Sequence, residues 1–210
     1  MSQTDDCVIH VVDDDAAFRR SLVFLLESVG WRVQVYAAAE AFLAAHERPP
    51  ADLGCLVLDI RMPTMSGLEL QQALHARGWQ PPIVFITGHG DVELAVQAMK
   101  HGASDFLQKP FRDQALLDAV AAAVRRCAED RARNAQREAA LALLDRLSPR
   151  EREVARLVAR GLPNKVVARE LDISEKTVHV HRQHVMEKTE VGSAAELARL
   201  MLRADSAALD

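Results

Sequence analysis

Three cysteines are all that the 210 residues contain: Cys7, Cys55 and Cys127. The number is odd, the spacing wide and the surroundings apolar or helical, which suits reduced thiols better than a disulfide framework or a cysteine metal cluster. Long apolar runs are missing too. No stretch approaches the roughly 18 to 20 residues of a membrane span, and the opening Met1-Ser2-Gln3-Thr4-Asp5-Asp6 has neither the basic nor the apolar region of a signal peptide. A cytoplasmic protein without membrane contact is expected. Nor is there a large excess of one charge, although the net −4 hides an asymmetry. Residues 1 to 125 carry 10 positive and 16 negative side chains, residues 126 to 146 carry 5 and 4, and residues 147 to 210 carry 11 and 10. No segment is basic enough to bind nucleic acid on net charge alone, so any such function must rest on where the basic residues fall.

What is present is a globular composition, 49% apolar and 27% charged, with room for one large domain or two small ones. Up to about residue 125 the pattern alternates between strand and helix. The strand candidates are Cys7 to Val12, Arg32 to Tyr36, Cys55 to Leu58, Pro82 to Ile86 and Ser104 to Leu107. Helical patterns lie at about 16 to 29, 38 to 46, 67 to 76 and 92 to 101, with a fifth from about 113. Leu22, Leu25, Leu26 and Val29 recur at spacings of three and four, which marks one buried helical face. Such alternation predicts an α/β domain, a five-stranded doubly wound parallel sheet with helices on both faces.

In such a sheet ligands bind beyond the carboxyl ends of the strands. The first strand runs into Asp13-Asp14-Asp15, the third into Asp59, the fourth into Thr87-Gly88-His89-Gly90 and the fifth into Lys109-Pro110. Each has a bland reading: Asp15 as a helix cap, Thr87 as a turn former, Lys109 as a solvated charge. Jointly those readings do not explain why carboxylates should converge on one rim, where like charges raise each other's pKa. A divalent cation relieves that cost, and Mg²⁺ favours carboxylate and carbonyl oxygens together with a phosphate. The arrangement suits phosphoryl transfer onto Asp59, with Lys109 and the Thr87 hydroxyl holding phosphoryl oxygens. Gly88 and Gly90 are expected to let the loop approach closely, and Pro110 is a candidate for a cis bond.

The set Asp13-Asp14, Leu-Asp-Ile-Arg-Met-Pro with Gly67, Ile-Thr-Gly-His-Gly-Asp and Asp105-Phe-Leu-Gln-Lys-Pro-Phe resembles the receiver domains of bacterial two-component response regulators. The resemblance implies that Asp59 accepts a phosphoryl group from a phosphohistidine of a sensor histidine kinase. It also implies Mg²⁺ held by Asp14, Asp59 and the main-chain carbonyl of Arg61, with Asp13 acting largely through water. Thr87 and Phe106 would relay the switch, and the side chains of Arg61 and His89 would tune the lifetime of the phosphate.

Past residue 112 an apolar stripe of Leu116, Leu117, Val120, Val124 and Cys127 fades into Ala128 to Ala140, which has helix-forming residues but no apolar face. A mostly helical, solvated linker over residues 126–146 is expected, between a first domain at 1–125 and a second at 147–210. A weak heptad pattern is interrupted by Arg131 and Asn134, so no stable coiled coil is predicted. In the second domain Ser148-Pro149-Arg150-Glu151 is a helix start with a capping box. That helix carries Val154, Leu157 and Val158 and should end at Gly161. Asn164 is expected to cap the next helix and Ser174 a third that runs to about Lys188, the pair forming a helix-turn-helix unit. Such pairs also occur in domains that bind no DNA.

Leu147-Ser-Pro-Arg-Glu-Arg-Glu-Val, Gly161 with Asn164-Lys165-Val-Val-Ala, and Ile173-Ser-Glu-Lys-Thr-Val-His-Val-His-Arg resemble the LuxR-type helix-turn-helix. With the receiver in front, the whole chain resembles a FixJ/NarL-type response regulator, close to the FixJ branch through its Thr-Gly-His-Gly-Asp and Leu-Pro-Asn-Lys segments. Val178 and Val185 are spaced as core, while the resemblance puts His179, Val180 and Gln183 against base edges and Lys165, Lys176, Thr177, Arg182 and Lys188 on phosphates. Some relatives carry Lys where this chain has His179 and Gln183, and Gln183 could read an adenine. Thr189 puts a hydroxyl at an expected core position. The resulting expectation is a transcription regulator and not an enzyme, activated by phosphorylation of Asp59, which promotes homodimerisation on a two-fold promoter site in duplex DNA and contact with RNA polymerase. The rivals are a phosphohydrolase with an aspartyl-phosphate intermediate, disfavoured because Ile60 and Arg61 supply no second acid, and an adaptor whose C-terminal helices bind protein.

Overall fold

The computed structural model describes residues 7–88, 92–205 and 208. The chain divides into two compact units, one through Asp130 and one from Arg131 onward. In the first, β1 (Val8–Val12), β2 (Arg32–Tyr36), β3 (Leu53–Asp59), β4 (Ile83–Thr87) and β5 (Asp105–Gln108) form a parallel sheet in the order β2-β1-β3-β4-β5. The helices between them are α1 (Ala16–Ser28), α2 (Ala39–Ala45), α3 (Gly67–Ala76) and α4 (Val92–Lys100), and α5 (Asp113–Asp145) follows β5. This is the doubly wound, flavodoxin-like architecture expected from the alternating pattern.

Successive side chains of a strand point to opposite faces, so a sheet covered on both sides needs apolar residues at every position. In β3, Cys55 and Val57 pack with Leu22, Leu26, Leu116, Val120 and Val124 of α1 and α5. Leu56 and Leu58 of the same strand face Phe42, Leu70, Leu74 and Ala98 of α2, α3 and α4. Val29 departs from its expected place on the buried face of α1: the helix stops at Ser28, and Val29 is a half-exposed C-cap. The chain runs from β1 outward to β2 and then crosses back to β3. That reversal places the carboxyl ends of β1 and β3 side by side, where the crevice of such a sheet opens.

The second unit contains the end of α5 with α6 (Pro149–Ala159), α7 (Asn164–Leu171), α8 (Glu175–Thr189) and α9 (Ala194–Ala204). Ser148 and Glu151 form the expected capping box, and Gly161 takes the left-handed conformation that ends α6. Val154, Val158, Val167, Val178, Val185 and Leu197 make the core. Two expectations need correction. Asn164 does not cap α7; Pro163 occupies the N-cap with φ −70°, and Asn164 is already helical, its Oδ1 accepting from Arg182 Nη1 at 3.3 Å. The solvated stretch of the linker runs from Glu129 to Glu138 and Ala139, but Ala140 is buried beneath Leu200 and Ala204, because Ala140, Leu143 and Leu144 recur at helical spacing and present a short apolar face to α9.

Candidate functional site

Asp13 directly follows β1 and Asp59 closes β3, so the register Val12↔Leu58 sets the two carboxylates on adjacent strand ends. One oxygen from each of Asp13, Asp14 and Asp59 lies within 4.8 Å of the others. Each oxygen of Asp13 accepts one bond: Oδ1 from the Asp15 N–H at 2.8 Å, and Oδ2 from Lys109 Nζ at 3.0 Å. Asp14 is exposed. Asp59 is 8% exposed and its Oδ1 has no hydrogen-bond partner, with the Lys109 ammonium 3.8 Å away. Burial pushes the Asp59 carboxyl up to about 6. Lys109 opposes that shift, and the charges of Asp13 and Asp14 add to it. An orphaned, buried oxygen beside two further carboxylates is a donor set that fits a hard divalent cation such as Mg²⁺.

The backbone keeps this rim in register. Ile60 N–H donates to the Ile86 carbonyl at 3.0 Å, Gly67 N–H to the Ile60 carbonyl at 3.0 Å, and Lys109 N–H to the Thr87 carbonyl at 2.7 Å. Gly67 is where close approach is demanded, since a Cβ there would stand 2.4 Å from the Asp59 carbonyl oxygen. Gly88, expected to serve that purpose, has nothing within 4 Å of such a Cβ, and Gly90 and His89 lie outside the described residues. Arg61 follows the strand end with its side chain exposed, and Thr87 at the end of β4 is wholly buried. Phe106 pairs with Phe85 in β5 and packs, half-buried, against the α3 side of the core. The Lys109-Pro110 bond is cis. Asp15 takes its bland role as the cap of α1, accepting from the Ala17 and Phe18 N–H groups.

One participant escaped the sequence reading. Phe18, on the first turn of α1, presents its ring to Lys109 with the ammonium 3.7 Å from the ring centroid. Its position just after an acidic strand end was the available signal.

On α8, Ser174 caps the helix by accepting from Thr177 N–H, and Val178 and Val185 are buried as expected. His179, Val180 and Gln183 all face solvent, along with Lys165, Lys176 and Thr177. Gln183 donates to Glu187 Oε1 at 3.1 Å, one turn on. Lys188 is held differently from its neighbours. Its ammonium donates to both oxygens of buried Glu151, at 2.9 and 2.7 Å. Burial alone would raise that carboxyl, but the bonds from Lys188 and from Ser148 prevail and hold it down at about 2. The Thr189 hydroxyl is buried and donates to the Val185 carbonyl at 2.6 Å, which satisfies the polar group that the sequence placed in the core.

Among the described residues no helix is long and apolar enough to cross a membrane. Residues 9–121 match the family model for the response regulator receiver domain, and residues 145–201 that for bacterial regulatory proteins of the luxR family. The transcriptional regulatory protein FixJ of Azorhizobium caulinodans is 48% identical over 202 residues, covering 96% of this chain and 95% of its own. The response regulator protein TodT of Pseudomonas putida is 46% identical over 197 residues, covering 93% and 86%. Among solved structures, the response regulator StyR superposes with a TM-score of 0.81 at 47% identity, covering 93% of this chain and 98% of that one. Full-length FixJ from B. japonicum gives 0.60 at 45% identity, covering 97% and 99%. A receiver domain followed by a LuxR-type DNA-binding domain, matched over nearly the whole length by such relatives, makes this chain a phosphorylation-dependent DNA-binding transcription regulator, a member of the response-regulator family to which FixJ and TodT belong.

Proposed function

We propose that Asp59 is the phosphoacceptor and that a phosphohistidine of a sensor histidine kinase is its donor. The supporting observation is the unpartnered, buried Oδ1 of Asp59, placed at the strand rim between Lys109 and two further carboxylates. Asp59 attacks the phosphorus as the phosphorus–nitrogen bond to the imidazole breaks. Lys109 takes up negative charge on a phosphoryl oxygen, and the buried Thr87 hydroxyl moves toward another. Asp14, Asp59 and the main-chain carbonyl of Arg61 would hold Mg²⁺, while Asp13 is the anchor of Lys109. Bound there, Mg²⁺ supplies neutralisation of the charge shared by Asp59 and the phosphoryl group. Movement of Thr87 draws Phe106 inward and remodels the surface around it, and Arg61, whose side chain is exposed, sets with His89 how long the phosphate lasts.

On this reading phosphorylation promotes a homodimer that binds a two-fold site. His179, Val180 and Gln183 read base edges, and Lys165, Lys176, Thr177 and Arg182 contact phosphates. Lys188 belongs with the fold of the DNA-binding unit, since its ammonium already neutralises Glu151. Residues 1–125, 126–146 and 147–210 serve as receiver, connector and DNA-binding domain, and RNA polymerase is the partner at the promoter. The test is labelling with acetyl phosphate in Mg²⁺, with and without Asp59→Asn. The substitution should abolish labelling, and stoichiometric labelling of the variant overturns the assignment.

A further inference from the structure

A lysine ammonium on a flexible four-carbon stem is a poor instrument for meeting one oxygen atom unless something limits where it can go. Two observations show what limits Lys109. Its ammonium donates to Asp13 Oδ2 at 3.0 Å, and it stands 3.7 Å from the centroid of the Phe18 ring. The ring is fixed in turn. The Phe18 N–H is held by the Asp15 cap at 3.2 Å, and the ring meets Phe111 edge to face, with centroids 6.2 Å apart and planes at 77°. Both aromatic rings line an open groove of about 1020 Å³ together with Lys109 and Pro110, so the side of the ammonium away from Asp13 borders solvent unless Phe18 covers it.

The face of an aromatic ring carries negative electrostatic potential and attracts a cation without accepting a conventional hydrogen bond or adding a charge. A carboxylate at the position of Phe18 would hold Lys109 as well, but would repel an incoming phosphoryl group. An aliphatic side chain would fill the space without directing the ammonium. We infer that Phe18 is a positioning residue for phosphoryl transfer: its ring holds the Lys109 ammonium over the Asp59 rim, leaving N–H groups free for Asp13 and for the phosphoryl oxygen. The inference rests on Asp59 being the phosphoacceptor, and it adds a residue that none of the recognisable receiver motifs contains.

The experiment follows single-turnover phosphorylation of the full chain by acetyl phosphate in Mg²⁺, resolved into a maximal rate constant and a half-saturating concentration. Phe18→Leu keeps apolar bulk and removes the ring face; Phe18→Tyr keeps the face. Phe18→Leu should lower the maximal rate about five- to tenfold with the half-saturating concentration within about twofold, the scale of losing one modest electrostatic contact. Phe18→Tyr should return the rate to within about twofold of the parent. Asp59→Asn runs beside them, and if it labels like the parent the phosphoacceptor reading itself fails. With Asp59→Asn silent, a Phe18→Leu rate equal to the parent overturns the inference, as does equal slowing by Leu and Tyr, which marks a packing role. Phe18→Met replaces Phe18→Leu if the latter does not fold.

Discussion

An aspartate that is 8% exposed, with two more carboxylates within reach and the Lys109 ammonium 3.8 Å away, is held in the folded chain against its own preference. The carboxyl stands at about 6 in the folded state against an ordinary 3.8, so the folded chain binds more protons than the unfolded chain across that window. Stability contributed by this group is therefore present at low pH and is lost as pH rises from about 4 through 6. Without divalent cations, Asp59→Asn should stabilise the protein at pH 7.5 by about 2 to 3 kcal/mol, the linkage equivalent of a two-unit shift. The gain should shrink below pH 6 and vanish near pH 4. Buried His10 works in the opposite sense: burial first, then the nearby His46, pushes it down to about 4, which costs stability as pH falls below 6.5. Because His10 is common to both proteins, the difference between them isolates Asp59. Urea melts in EDTA at pH 4, 6 and 7.5 measure it, and a variant no more stable than the parent at pH 7.5 refutes the idea of an unneutralised acceptor. Added Mg²⁺ should stabilise the parent and leave the variant nearly unchanged.

At the scale of elements, legibility followed burial. The strands of a sheet covered on both faces are short apolar runs, and their carboxyl ends could be read to within a residue. β3 starts two residues before the expected Cys55, because Leu53 pairs with Val8 through a register shift while Gly54 lies where a Cβ would stand 2.8 Å from Cys7 Cβ. A glycine bounding an apolar run signals a strand end, and only the close packing of a neighbouring strand makes it a strand interior. The pairing of Phe18 with Lys109 was hidden for a related reason: it joins α1 to the end of β5, and although Phe18 closely follows an acidic strand end, nothing local marks Lys109 as its partner. The same holds for Glu151 and Lys188, which read separately as half of a capping box and a phosphate contact. Their bond ties α6 to the last turn of the recognition helix α8. Lys188→Ala should leave buried Glu151 without its lysine counter-ion, still accepting from the Ser148 N–H at 2.8 Å, at a cost of about 2 kcal/mol, below the roughly 3 to 5 of a fully buried pair because the lysine is 41% exposed. The depressed carboxyl of Glu151 contributes stability above about pH 4.5 that fades as pH falls toward 2, so the loss should be full at pH 7 and smaller at pH 3. Chemical denaturation checks this, and a change within about 0.5 kcal/mol at pH 7 returns Lys188 to the list of free surface cations.

For the whole molecule, the balance of charge in the DNA-binding segment turns an apparent weakness into a quantitative expectation. Residues 147 to 210 carry 11 basic and 10 acidic side chains, so affinity for duplex DNA must come from a few well-placed cations and not from a diffuse basic field. Lys165 and Lys176 are exposed, and Arg182 spends one N–H on Asn164 while remaining partly accessible. Lys188 is engaged by Glu151. On the proposed reading, three cations per protomer, doubled in a phosphorylated dimer, would make about six phosphate contacts, and at about 0.9 per contact the logarithm of the association constant should fall against the logarithm of salt with a slope of about −5. Counting Lys188 as a fourth contact would make the slope about −7. Lys176→Ala should weaken binding to specific and nonspecific duplexes alike and flatten the slope by about 2, whereas Gln183→Ala should relax discrimination at one base pair per half-site and leave the slope where it was. Fluorescence anisotropy of the acetyl-phosphate-treated protein from 50 to 300 mM salt reads all of these together. A slope near zero would mean that the C-terminal helices bind something other than DNA, and a steep slope identical before and after phosphorylation would mean that the receiver's state does not reach them.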